Sequence, residues 1–124
     1  MTWDRCLDDG YIRKSFIDKQ RAKSLRGISE KKHAFVKKTE ITEDNAPILF
    51  SEMYDSLLEI CQSISCLEGY NVLNHKCMRH FLERLDLHSI AERFDRFRKI
   101  RNNINYYGKD IETGFAKASI SEMD

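Results

Sequence analysis

Proline and glycine are scarce in this chain: one proline, Pro47, and five glycines in 124 residues. All-β sandwiches and barrels spend those residues on many turns, so their near absence argues against that class. No apolar run approaches the roughly 18–20 residues that a membrane-spanning helix needs, which removes a membrane partner from the expectations. The first residues, Met1-Thr-Trp-Asp-Arg-Cys, carry an early acid and lack the apolar stretch of a secretory leader. The expectation is a cytoplasmic protein. Four cysteines are too few for a disulfide scaffold, and in that compartment Cys6, Cys61, Cys66 and Cys77 are expected as reduced thiols, two disulfides being the alternative. Internal repeats, low-complexity tracts, Walker loops, GxGxxG turns and nucleophile elbows are all missing.

What is present is charge and helical periodicity. Charged residues make up 33% of the chain and apolar ones 41%, a mixture suited to helices with one wet face. The length predicts a single domain over residues 1–124. A net charge of +1 conceals segregation. Residues 1–40 hold 11 Lys/Arg against 6 Asp/Glu, 41–70 none against 6, 71–109 nine against 4, and 110–124 one against 4. A near-neutral total is therefore compatible with a local basic surface for a phosphate backbone. The alternative is that the helices simply differ in their solvated charges.

The pattern predicts an all-α fold, an antiparallel up-and-down bundle of four to five helices with no strand. A first helix is expected from about Asp4 to Lys37, with a break near Gly10 or Gly27. Pro47 opens a second, apolar at Leu49, Met53, Leu57, Ile60, Ile64 and Leu67 and again at Phe50, Tyr54, Leu58 and Cys61; Gly69 stops it. A helix apolar on more than one side belongs in the middle of a bundle or at a partner interface. A third helix is expected over 74–85. Ser89-Ile-Ala-Glu92 reads as a capping box opening a fourth that runs to about Tyr107, and a short fifth follows Asp110.

The fourth helix carries the unusual chemistry. At about 100° per residue, Ile90, Phe94, Phe97, Ile100 and Ile104 share one face, with Arg101 at its edge. Asn105, Arg98, Asn102 and Tyr106 continue round as one polar arc. An arginine at a core margin must be paired, hydrogen-bonded or left in a wet cleft. Its planar fork suits phosphate or carboxylate. The competing assignment is an ion pair with Asp55 or Glu59 on the acidic second helix.

The run from Arg96 to Gly108, with Arg101-Asn102 followed by Tyr106-Tyr107-Gly108, resembles the signature helix of HEPN domains. There an arginine and a polar residue precede a histidine by four to six intervening positions. Tyr54, Leu57-Leu58, Gly69 and His75 fit the upstream helix order. The resemblance implies a two-fold homodimer whose paired motifs line a cleft that binds RNA or a nucleotide. Many members are metal-independent endoribonucleases of toxin–antitoxin or defence systems; others bind nucleotides or partner a small nucleotidyltransferase. Carried over, Arg101, Asn102 and Tyr106 hold the catalytic positions. Arg98, Arg101, Asn102, Asn105 and Tyr107 are the ligand-binding set.

Tyr106, Tyr107 and Gly108 occupy the three places open to the histidine. A phenol with pKa near ~10 stays protonated at pH 7, and general acid–base catalysis contributes roughly 10²–10⁴-fold. Binding is therefore expected to outlast catalysis, leaving a weak or inactive ribonuclease. The alternative is a non-catalytic interaction module that partners a nucleotidyltransferase.

Cys61, Cys66, His75 and His80, with Cys77 nearby, have the residue types of a zinc site. Cys61 and Cys66 point apart on a helix, so core thiols are the better expectation. Neither a metal nor a cofactor is expected. His33, His75, His80 and His88 lie scattered at helix edges, and linear sequence brings none of them to the motif. The basic run at Lys31-Lys32-His33 and Lys37-Lys38 reads mainly as a solvated helix end.

Overall fold

The computed structural model describes residues 2–107 and 113–123, and the side chains of 2–104 and 114–123. Among these it is mostly helical, with six helices and one two-stranded sheet. Helix α1 (Trp3–Asp8) is capped by Thr2, whose hydroxyl accepts from the Arg5 amide at 3.2 Å. Gly10 then turns the chain at φ +75°, a conformation that suits glycine. The expected long first helix therefore breaks at Gly10, while Gly27 stays inside helix α2 (Lys19–Lys37).

Between them lies a strand that the sequence pattern did not show. β1 (Ile12–Lys14) pairs antiparallel with β2 (Tyr70–Val72), with Ile12 opposite Val72 and Lys14 opposite Tyr70. Both members of the Ile12–Val72 pair are buried. The ladder continues through Ser15 N–H to Gly69 O (2.8 Å) and Leu73 N–H to Tyr11 O (2.7 Å). Three-residue strands are too short for a period of two to stand out.

Helix α3 (Ala46–Glu68) has Pro47 in its first turn and ends at Gly69, φ +79°. It runs antiparallel to α2: Val36 clusters with Leu49, Ser29 meets Ser56, and the Asp18 amide bonds Cys66 O. The buried residues of α2 are Ala22, Ser29 and Val36, one every seven positions, a seam of mostly small side chains that lets two helices approach closely. At its centre Ser29 Oγ donates to Ser56 O (2.8 Å) and Ser56 Oγ to Ser29 O (3.0 Å). Both hydroxyls are thus satisfied where water is excluded.

The other face of α3 packs its aromatics on helix α5 (His88–Tyr107): Phe50 lies 6.0 Å from Phe97 and Tyr54 5.4 Å from Phe94. Helix α4 (His75–Arg84) is antiparallel to α5, joined by Leu85–Leu87 and tied by Arg79 to Asp95 at 3.2 Å. Asp86 at φ 60° makes that turn. The helix begins at His88, with Leu87 O receiving the Ala91 amide, so Ser89 lies in the first turn and is not the expected cap. Helix α6 (Thr113–Met123) adds Ala116 and Ile120 to the core. Its Glu122 meets Arg96 at 2.6 Å.

Cys6 and Cys77 are joined as a disulfide, correcting the expectation of four thiols. They lie 71 positions apart, and only the docking of α1 on α4 brings them together. No described helix is long and apolar enough to cross a membrane.

Candidate functional site

Where α4 begins, the middle of α5 passes beside it, and Tyr11 from the turn after α1 closes the side. The result is an open polar cleft of about 430 Å³ lined by Tyr11, Leu73, Asn74, His75, Lys76, Arg98 and Asn102. Local sequence explains one wall. Asn74 caps α4, its side-chain oxygen accepting from the Lys76 amide at 2.8 Å, and a helix N-terminus carries partial positive charge. The antiparallel α4–α5 pair sets Arg98 and Asn102, one turn apart, against that terminus.

Arg98 has a side chain only 7% exposed, with Nη2 2.9 Å from Asp95 Oδ1 and Nε at the same distance. Asp95 also meets Arg79 Nη1 (3.2 Å) and Lys99 Nζ (3.3 Å). Burial pushes its carboxyl up, but Arg98 and Lys99 together outweigh burial and hold it below the usual value. Arg79 also meets Glu83 at 2.9 Å, so two carboxylates face three cations and the cluster keeps one excess positive charge behind the cleft.

Arg101 does not line the cleft. Its Nη2 lies 3.2 Å from Asp55 Oδ1 and its guanidinium carbon 5.5 Å from the Tyr54 ring centre. Of the two carboxylates that sequence offered for an ion pair, Asp55 is the one used. The pair is partly open, with side chains 20% and 24% exposed, and Arg101 Nε is buried without an acceptor among the described residues. The Tyr54 hydroxyl is likewise buried and unpartnered. Burial raises its pKa, against the opposing fields of Arg101 and Arg98.

His75, half-buried at the first position of α4, has its ring 6.5 Å from that of Tyr54. Burial first, then Arg101 and Arg98, hold its imidazole below the ordinary value, against an opposite pull from Asp55. At pH 7 it is neutral and able to accept as well as donate a hydrogen bond.

The arc expected on the fourth helix is thus divided. Arg98 and Asn102 meet in the cleft, Arg101 lies behind it on Asp55, and the side chains of Asn105, Tyr106 and Tyr107 lie outside the described residues. Tyr11, Asn74 and Lys76 were not singled out from sequence; an asparagine cap followed by His-Lys was the signal for two of them. The zinc grouping is dispersed. Cys77 is in the disulfide, Cys66 lies 3.7 Å from Arg21, and the buried Cys61 thiol is pushed up to about 12. Among the described residues no three metal-binding side chains come together.

No family model, curated protein or solved structure matches this chain.

Proposed function

We propose that the protein binds RNA or a nucleotide through its phosphates, in the cleft between the start of α4 and the middle of α5, within a HEPN-like bundle. The observation that carries this reading is convergence. A helix N-terminus, Lys76, Arg98 and Asn102 face one open polar space, and the acids behind it, Asp95 and Asp55, are each engaged by cations of the protein. Arg101 acts from behind, ordered by Asp55. No imidazole follows Arg101 at the motif spacing, so chelator-resistant RNA cleavage stays weak or absent in this reading.

The test is retention of a labelled oligoribonucleotide across a salt series, with Lys76→Ala and Asn102→Ala alongside the unaltered protein. Lys76→Ala is expected to weaken binding about tenfold, the scale of one charge-assisted hydrogen bond. It should also lower the salt slope by about one. Retention indifferent to salt and to both substitutions would contradict the reading.

A second reading has its own observation. On α3, Leu57, Ile60 and Ile64 are only half-buried and Leu67 is exposed, so an apolar stripe runs past the end of α6. It suits an interaction module, and self-association of this chain through α3 would cover it. Ile64→Glu is expected to abolish any dimer seen by sedimentation while leaving RNA retention intact.

A further inference from the structure

We infer that a phosphodiester enters the cleft together with a proton, carried on the His75 imidazole, which makes His75 a phosphate ligand in its charged form. This rests on the reading of the cleft as a phosphate site. His75 is the first residue of α4, where the helix dipole opposes a positive charge. Arg98 and Arg101 approach from α5, Lys76 follows it on α4, Tyr54 and Asp55 face it from α3, and Tyr11 lines the same cleft. Of the acids in this set, Asp55 is engaged by Arg101, and Asp95 beyond it by Arg79, Arg98 and Lys99.

In the free protein, therefore, nearly every neighbour disfavours the imidazolium. An anion seated between Lys76, Arg98 and Asn102 reverses that field, because the added negative charge lies against the ring. The imidazole pKa is then higher in the complex than in the free protein, and binding takes up a proton at pH values between the two. By linkage, affinity rises as pH falls through that window and levels off below the free protein's value. Each unit of difference corresponds to at most tenfold in affinity.

The probe is tetrauridylate without terminal phosphates, whose diester charges do not titrate between pH 5 and 8. The unaltered protein is expected to bind it about tenfold more tightly at pH 5.5 than at pH 8. His75→Gln, which keeps a hydrogen-bonding side chain, should bind with little pH dependence. Independently of any variant, the His75 ring resonances, followed by NMR, should titrate at higher pH in the complex than in the free protein. Equal pH slopes for both proteins with an unmoved His75 titration would overturn the inference and leave the cleft reading standing. Absence of binding at every pH would overturn the cleft reading, and the inference with it.

Discussion

Two buried polar clusters in this small protein are built on opposite terms. Between α2 and α3, Ser29 and Ser56 are neutral, and each donates to the other's carbonyl. Between α4 and α5, Asp95 holds Arg79, Arg98 and Lys99 beside an open cleft. The first is closed in both geometry and charge, which suits a seam whose task is to hold. The second keeps surplus positive charge at the margin of solvent, which an added anion can use. Burial alone does not separate scaffold from site; the balance of partners does.

The sharpest way to break that contrast is to empty the charged cluster. Asp95→Asn leaves Arg98 buried without its counter-charge and is expected to cost about 3–5 kcal/mol in denaturant unfolding. The same carboxylate predicts the acid limb of stability. Its folded pKa lies below its unfolded value near ~3.9, so its contribution is full above that value and is lost as pH falls through the folded one. A stability curve between pH 6 and 2 should fall less steeply in Asp95→Asn than in the unaltered protein.

Next in size is the link between α1 and α4. Cys77→Ser is expected to cost about 2–4 kcal/mol under non-reducing conditions, and less when the comparison is with the reduced protein. Amide exchange should accelerate over residues 3–14, while the Ser29–Ser56 seam keeps its protection.

The smallest effect belongs to the seam. Ser29→Ala and Ser56→Ala should each cost about 1 kcal/mol, because each removes a buried hydrogen bond to the other's carbonyl, and since the two hydroxyls also lie 2.9 Å apart the double substitution should cost less than their sum. Strict additivity in that cycle would show that the two serines do not act as the reciprocal pair described.

The sequence made some of this readable and hid the rest for identifiable reasons. Helix α3 was legible because its apolar residues repeat with helical period over 23 residues and Gly69 marks its end. The polar character of Arg98 and Asn102 was legible from their place beside the core face of α5. The β1–β2 pair was not, since three residues carry too little pattern and their partners lie far away in the chain. The helix start at His88 was displaced from Ser89 because the left-handed turn at Asp86 lets Leu87 supply the first carbonyl. Arg101 was read as a ligand-facing group or an ion-pair partner; periodicity places it at the core edge in either case, and only the packing of α3 against α5 brings Asp55 to it. The gathering of Tyr11, His75 and Lys76 with Arg98 depends on three separate segments docking, which no single window of sequence contains.

Phosphate binding in the cleft is checked by an NMR titration of the uniformly labelled protein with tetrauridylate at low salt. Shifts concentrated on Tyr11, His75, Lys76, Arg98 and Asn102, fading as salt rises and lost in Lys76→Ala, are expected. Shifts confined to the lysine-rich outer face of α2, or none at all, would contradict binding there.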